Sequence, residues 1–137
     1  MKTSTTFQRK LAIILACATL AVPGSIIANT AQTTDLTITI KGIKGNVGNL
    51  MIGVGDLQAP KSMKGNIIKA THPTATTQIR EVPSGECTIY IYHDENENHL
   101  LDRDEKGVPT EGCAIKKTTI DQQNNSVEIV LYYGKEK

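Results

Sequence analysis

The chain has 137 residues and few aromatic side chains, with no Trp, one Phe and four Tyr. Its 15 basic and 14 acidic residues nearly balance, which excludes the strongly basic surface that binding to nucleic acid or anionic lipid requires. The length suits one domain and cannot supply two hydrophobic cores.

The N-terminus has the pattern of a secretory signal peptide, which we expect to cover residues 1–28. A basic start is followed by an apolar run at 11–22, then by a Pro-Gly pair and small residues. Signal peptidase recognises these three parts, and cleavage is expected after Ala28 or Ala31. The run has 12 residues, whereas a permanent membrane helix needs about 20, so an uncleaved anchor is the less favoured alternative. Lipid attachment at Cys17 is disfavoured because only six apolar residues precede it.

Export changes both the charge and the cysteine count of the working protein. Removing residues 1–28 takes away three basic residues and no acid, so the remainder carries a formal charge of −2. Only Cys87 and Cys113 remain. Two cysteines in an oxidising compartment predict one disulfide, and a pair of buried free thiols is the alternative. We expect the mature protein in the periplasm, at the cell surface or secreted, with no membrane span.

The rest of the chain predicts strands. Residues 29–34 are polar and are expected to form a disordered lead-in to a domain at 35–134. Seven short segments then show alternating or β-rich patterns between turn signals, and no helical spacing occurs outside the signal peptide. We predict an all-β fold, a single antiparallel β-sandwich of the immunoglobulin-like or transthyretin-like kind. The expected strands are 36–41, 50–54, 67–71, 76–82, 87–92, 113–120 and 127–133.

A polar segment after the strongest predicted strand, residues 94–105, has the spacing of an EF-hand calcium loop; we call it the acidic loop. Oxygen-bearing side chains fall at positions 1, 3, 5, 9 and 12, and the main-chain carbonyl of position 7 completes the pattern. Alternate residues of a tightly curled loop point inward, and Ca²⁺ takes six to eight hard oxygen ligands. We therefore predict a structural calcium site. Its expected ligands are Asp94, Asn96, Asn98, Leu100, Asp102 and Glu105.

Two features of the acidic loop bear on this prediction. Position 6 is normally Gly because the chain turns sharply there; His99 occupies it, and His is one of the few other residues enriched at positive φ. Six of the 14 acids lie in the loop beside a single Arg, and they repel one another unless a cation or solvent relieves them. A solvated acidic loop that binds no ion tightly is the alternative.

The three histidines suggest a weaker alternative, a transition-metal site. His93 and His99 lie around the acidic loop and His72 lies elsewhere, whereas zinc usually takes three or four nitrogen or sulfur ligands. We expect His93 instead to support the loop through hydrogen bonds at the strand end. No Ser or Cys lies in a nucleophile motif, so we predict no enzyme activity.

The segment 82–112 contains a Pro-Ser-Gly turn, the motif His-Asp-x-Asn-x-Asn-x-x-Leu-Asp, and then Gly-Val-Pro-Thr-Glu-Gly. This segment resembles the DUF2141 family of exported bacterial proteins, and 36–54 is similar to the family's opening hairpin. The resemblance implies a small all-β domain, no established activity, and Glu111 as an alternative metal ligand to Glu105. The family tends to have Tyr where this chain has its two cysteines. The matching residues are Gly85, His93, Asp94, Asn96, Asn98, Leu101, Asp102, Gly107, Pro109, Glu111 and Gly112.

These observations predict an exported, non-enzymatic domain with a structural calcium loop and an unknown protein or glycan partner at the cell envelope. The alternative is a carbohydrate- or peptide-binding module that uses the same loop. A third hypothesis, a transthyretin-like hydrolase, rests on fold analogy.

Overall fold

The computed structural model of the protein describes residues 31–134, so the predicted signal peptide lies outside the described residues. This part contains seven strands and one short 3₁₀ helix, Pro60–Ser62. No helix within it has the length and apolar character needed to cross a membrane. The strands are β1 (Thr33–Lys41), β2 (Asn49–Gly55), β3 (Lys64–Lys69), β4 (Thr74–Pro83), β5 (Gly85–Asp94), β6 (Cys113–Ile120) and β7 (Ser126–Val130).

The seven strands form two sheets, which confirms the predicted all-β sandwich. The first has the order β4-β1-β7 and the second the order β3-β2-β5-β6. One pairing differs from the prediction of a purely antiparallel fold: β1 and β7 run parallel, with Ile38 beside Val127. The physical reason is that β7 enters beside the middle of β1 after a connection from the other sheet, and not through a hairpin with β1.

Alternation along the strands builds one core between the sheets. Leu36, Ile38 and Ile40 of β1 are fully buried, and Ile89 and Ile91 of β5 face them from the second sheet. Burying a side chain of this size stabilises the fold by about 1.5–3 kcal/mol. The core therefore rests on branched aliphatic residues, as the scarcity of aromatics in the sequence requires.

The bounds of several strands depart from the prediction. β3 was expected at 67–71 and lies at Lys64–Lys69, because its first residues pair with the end of β2. The lead-in at 29–34 was expected to be disordered, but Thr33 and Thr34 belong to β1 because they pair with the end of β4. The last strand was expected to reach residue 133, but β7 ends at Val130. The chain then crosses towards the second sheet, where Tyr132 and Cys113 exchange main-chain hydrogen bonds of 3.0 and 2.9 Å.

The register fixes what lies at each end of the sandwich. Asn49 at the start of β2 pairs with Asp94 at the end of β5, and we call this end the loop pole. Gly55 at the far end of β2 pairs with Thr88 near the start of β5, which marks the opposite pole. The acidic loop therefore leaves the sandwich at the loop pole.

Candidate functional site

The connection between β5 and β6, residues 95–112, contains most of the acidic loop and is closed at its base by main-chain hydrogen bonds. The amide of His93 donates to the carbonyl oxygen of Gly112 at 2.7 Å. Further along, the amide of Thr110 donates to the carbonyl oxygen of Asp102 at 2.9 Å. The two arms of the connection are thus held together, although no regular strand runs through it.

Asp94, the first predicted ligand, organises the turn of the loop from a fully buried position. Its Oδ1 accepts a hydrogen bond from the amide of Asn98 at 3.1 Å, and its Oδ2 accepts one from the amide of His99 at 2.9 Å. His99 has φ of 63°, so the chain turns with positive φ at the position where the sequence pattern expected a turn. Glu97 also has positive φ, at 59°.

The next three predicted side-chain ligands meet around one carboxylate. The side-chain amides of Asn96 and Asn98 donate to Asp102 at 2.6 and 2.9 Å, one to each carboxylate oxygen. Their own side-chain oxygens accept main-chain amides two residues ahead, at Asn98 and Leu100. These Asx turns curl the loop and keep both side chains on its inner side.

Two residues are candidates for the last acidic ligand of the calcium pattern, Glu105 and Glu111, and the structure places them differently. Glu111 is 6 % exposed and joins the two arms of the connection, because its Oε1 accepts the amide of Glu95 and its Oε2 accepts the amide of Asp102, both at 3.1 Å. Glu105 is exposed, and no hydrogen bond in the described part of the chain joins its side chain to the loop. The structure brings Glu111 into the cluster and leaves Glu105 outside it.

Leu100, predicted to act through its carbonyl, has a side chain that is 66 % exposed. Its amide takes part in the turn at Asn98. The arrangement keeps its main chain within the curled part of the loop and its side chain in solvent.

We call Asp94, Asn96, Asn98, Asp102 and Glu111 the loop cluster; it carries concentrated negative charge. Asp94, Asp102 and Glu111 each accept two hydrogen bonds from amide groups, about half of what a carboxylate can accept. None of these bonds comes from a basic side chain, and Arg103 donates instead to the carbonyl oxygen of Gly107 at 2.9 Å. Burial raises the pKa of the nearby Tyr92 phenol, and the charges of Asp94 and Glu111 raise it further.

The composition of the cluster limits what it could bind. Within residues 31–134, no three His, Cys, Asp or Glu side chains are grouped closely enough to hold a metal by themselves. An ion in the loop would therefore also need amide and main-chain oxygens as ligands. Such all-oxygen sets suit calcium or magnesium and are poor for zinc.

His93 contacts two further segments besides the acidic loop, where its Nδ1 lies 3.5 Å from Oε1 of Glu95. Its ring is 1 % exposed; Nε2 lies 2.7 Å from the carbonyl oxygen of Val47, and Nδ1 lies 2.8 Å from the hydroxyl of Tyr133. A carbonyl only accepts, so Nε2 carries a proton and donates it to Val47. The side chain ties the β1–β2 turn and the C-terminal segment to β5, whereas its main-chain amide closes the acidic loop.

The predicted disulfide between Cys87 and Cys113 is wrong, since both thiols are free. Cys87 pairs with Thr118 and Cys113 pairs with Tyr92, five residues apart along the β5–β6 ladder. That separation is about 17 Å, whereas a disulfide needs Cα atoms about 4.4–6.8 Å apart. Cys87 packs against the core. Side chains alternate between the two faces of a sheet, so a separation of five residues, an odd number, puts Cys113 on the outer face.

The histidines do not share a site. His72 has Nδ1 2.6 Å from the carbonyl oxygen of Ile43, in the β1–β2 turn, whereas His93 is bonded to Val47 and Tyr133. His99 interacts through its main chain: its amide donates to Asp94, and its carbonyl oxygen accepts a hydrogen bond from the Tyr92 hydroxyl at 2.9 Å.

Three residues of the loop pole were not recognised as important from the sequence. A Cβ on Gly48, which has φ of 80°, would collide with the main chain of Asp94, and one on Gly112 would collide with the Tyr133 ring. Gly48 lies between the first two predicted strands, and Gly112 is part of the resemblance motif. No local sequence pattern pointed to Tyr133, because its role depends on contacts with His93 and Lys44, which are 40 and 89 residues away in the sequence.

Comparison with known proteins gives one result. No curated protein and no solved structure is significantly similar to the chain. A family model described as an uncharacterized protein conserved in bacteria, DUF2141, matches residues 38–128. This range runs from β1 to β7 and includes the whole acidic loop. The chain belongs to the DUF2141 family.

Proposed function

We propose that the protein is an exported, non-enzymatic β-sandwich domain whose acidic loop binds a structural calcium ion. One observation carries the proposal: Asp94, Asp102 and Glu111 gather at the loop pole with no hydrogen bond from a basic side chain. Carboxylates arranged around one loop without a basic partner repel one another, and a divalent cation that also binds amide and main-chain oxygens of the loop would relieve the repulsion.

The local geometry supports a cation with oxygen ligands. Each of the three carboxylates retains about half of its acceptor capacity, and the two Asn side chains face the same region as Asp102. The positive φ of His99 gives the loop the turn that calcium loops have at their sixth position. Asp94, Asn96, Asn98, Asp102 and the carbonyl of Leu100 would hold the ion, with Glu111 in place of Glu105.

The role of the ion would be to fix the loop. The connection of residues 95–112 is long and has no regular strand, and such loops in small domains are ordered for a functional reason. Outside the cytoplasm a site with a Kd of about 10⁻⁴–10⁻³ M is sufficient, as in other extracellular calcium modules. The ordered loop would then present a surface to a protein or glycan partner at the cell envelope.

The test is a thermal melt with calcium and with a chelator. At about ten to one hundred times Kd, calcium stabilises by about 1.4–2.7 kcal/mol, which corresponds to a rise in Tm of roughly 5–15 °C. Asp102→Asn should lose most of this rise, and it is preferred to Asp94→Ala because Asp94 is fully buried. Glu86→Gln, an equal change of charge at the opposite pole, should keep it. An equal Tm of the unaltered protein in calcium and chelator would exclude the site.

A second candidate function is a carbohydrate- or peptide-binding module, favoured by a groove beside the loop. The outer face of the second sheet has an open cavity of about 690 Å³ whose walls include Met51, Ile67, Tyr90 and Tyr92. The hydroxyl of Tyr92 is bonded to His99 of the acidic loop, so the state of the loop would affect this wall. A loop variant that keeps its Tm but loses binding to a glycan or peptide array would favour this function.

A further inference from the structure

The two outer faces of the sandwich differ in chemistry. Along β1, the residues between the buried Leu36, Ile38 and Ile40 are Thr37 and Thr39, which is usual for a sheet face in water. In the middle of the second sheet, the residues between the buried positions are instead apolar, aromatic or glycine. A solvent-facing surface of this composition indicates a binding site.

Three of the four tyrosines lie on the outer face of the second sheet. Tyr90 and Tyr92 flank the buried Ile91 of β5, so both point outward. Tyr92 pairs with Cys113, which forms an antiparallel bridge with Tyr132, and the side chains of such pairs lie on the same face. We call this surface the tyrosine face. Its first row contains Ile67, Met51, Tyr92, Cys113 and Tyr132, and its second row contains Gly65, Gly53, Tyr90 and Ile115.

A shallow groove of about 690 Å³ lies on part of the tyrosine face. Gly53 and Gly65 pair with each other and form its floor, because neither has a side chain that rises above the sheet. Met63, from the connection between β2 and β3, lies over Gly53, and Met51 lies on the other side. The groove is open to solvent and its volume is typical of ligand sites, about 300–1,000 Å³.

The size and charge of the tyrosine face limit what could cover it. Five chain segments lie side by side across about 19 Å, and the two rows are about 7 Å apart, so the patch measures roughly 300–400 Å². A stable dimer needs about 800 Å² from each partner, which disfavours a second copy. Among the described residues, none in the two rows is charged, and the bordering Lys69 is bonded to Glu97 at 2.6 Å. A narrow, uncharged ligand therefore fits this surface best.

A glycan chain meets these conditions better than a peptide. A peptide that crossed the face would leave its main-chain N–H and C=O groups without partners, because sheets bind extended peptides along an edge. A pyranose ring can stack its flat C–H side on a tyrosine ring and keep its hydroxyl groups in water. Within residues 31–134, the hydroxyls of Tyr92 and Tyr133 have partners, whereas no hydrogen bond joins those of Tyr90 and Tyr132 to the protein. These two hydroxyls are available to a sugar.

We propose that the tyrosine face binds an extended chain of neutral pyranoses joined by equatorial, β-type bonds. Tyr92 and Tyr132 are two strand spacings apart, about 9–10 Å, which is about the length of two sugar units in such a chain. The chain would cross the strands, with one sugar stacked on each of these two rings and another in the groove beside Met51. This inference names the ligand of the second candidate function, on which it rests, and it does not depend on a calcium ion.

The experiment is an NMR titration of the ¹⁵N-labelled protein, in calcium, with cellotetraose and maltotetraose. The first is a β-linked chain of four glucose units and the second is its α-linked isomer, which coils and cannot lie along the row. Cellotetraose should shift the amide signals of Met51, Tyr92 and Cys113, and it should bind about tenfold more tightly than maltotetraose because it contacts both tyrosine rings.

Three variants at exposed positions assign the stacking. Tyr132→Ala removes a ring that is 74 % exposed and should weaken cellotetraose about tenfold, whereas Tyr132→Phe keeps the ring and should stay within about threefold. Val47→Ala, at a position 70 % exposed in the β1–β2 turn, is the matched control and should bind like the unaltered protein. A calcium-induced rise in Tm should be equal in all three, so the failure of one proposal is distinguishable from the failure of the other.

Three results would overturn the proposal: no shift of these amide signals with cellotetraose, equal binding of the two isomers, or equal binding by Tyr132→Ala and Val47→Ala. Signals of the tyrosine face that shift with protein concentration alone would assign the face to a second copy of the chain and would overturn the proposal as well.

Discussion

The hydroxyl of Tyr133 lies 2.8 Å from Nδ1 of His93, and the two rings meet edge to face with their centroids 6.1 Å apart. The same hydroxyl accepts the amide of Lys44 at 3.2 Å. One side chain beyond the last strand thus links the β1–β2 turn to the strand that leads into the acidic loop. The loop pole is built from three segments that are far apart in the sequence.

Tyr133→Phe should therefore destabilise the protein by about 1–3 kcal/mol, because it leaves the buried Nδ1 of His93 and the Lys44 amide without this partner. Urea unfolding measures the change. Tyr132→Phe is the matched control: Tyr132 is 74 % exposed, so the loss should stay within about 0.5 kcal/mol. Equal losses in the two variants would show that the hydroxyl bridge contributes nothing.

Tyr133 should also make the fold sensitive to alkali. Burial is the main cause that raises its pKa; the Glu95 carboxylate adds to the rise, and the Lys44 amide and ammonium oppose it. A group whose pKa is higher in the folded state stabilises the fold fully below its unfolded pKa, about 10 for Tyr, and loses this contribution as the pH rises through the folded pKa. Stability should fall above about pH 10, and fall less in Tyr133→Phe, as measured by urea unfolding at several pH values.

Gly48 should tolerate no larger residue. Gly48→Ala adds a Cβ that collides with the Asp94 main chain, in a backbone with φ of 80°. Gly107→Ala is a matched control, since Gly107 has φ of 78° but open space around its Cβ position. Both should lose about 1–2 kcal/mol for the left-handed conformation, and Gly48→Ala should lose about 1–3 kcal/mol more for the collision. Urea unfolding that gives equal losses would refute the close packing of the β1–β2 turn on β5.

Much of this architecture could be predicted because it follows from local sequence patterns. The bounds of β6, Cys113–Ile120, match the prediction to the residue, and the turn at His99 followed from the calcium-loop spacing. Contacts between distant segments could not be predicted in this way. The spacing of Cys87 and Cys113 says nothing about strand register, and register is what separates them. The choice of Glu111 over Glu105 likewise depends on how the two arms of the connection meet.

Glu111→Gln and Glu105→Gln should differ in their effect on the loop. The Glu111 carboxylate bonds both arms of the connection, so Glu111→Gln loses one charged acceptor and should destabilise by about 1–3 kcal/mol. It should also weaken any calcium-induced rise in Tm. Glu105→Gln changes an exposed side chain and should shift stability by less than about 0.5 kcal/mol. Thermal melts with and without calcium measure both effects. Larger losses of stability and of the calcium response in Glu105→Gln than in Glu111→Gln would favour Glu105 as the ligand.

The free thiols give a redox prediction that opposes the one drawn from the sequence. Because Cys87 and Cys113 lie at opposite ends and on opposite faces of the β5–β6 ladder, adding dithiothreitol should leave Tm unchanged. A disulfide that closed this loop would have contributed about 3 kcal/mol by the chain-entropy model. In Cys113→Ser, iodoacetamide should modify Cys87 more slowly than a free cysteine at the same pH, because burial raises the pKa of this thiol and only the thiolate reacts. Mass spectrometry follows the modification. A fall in Tm on reduction, or a mass two hydrogens short in the untreated protein, would show that the two strands rearrange to bring the cysteines together.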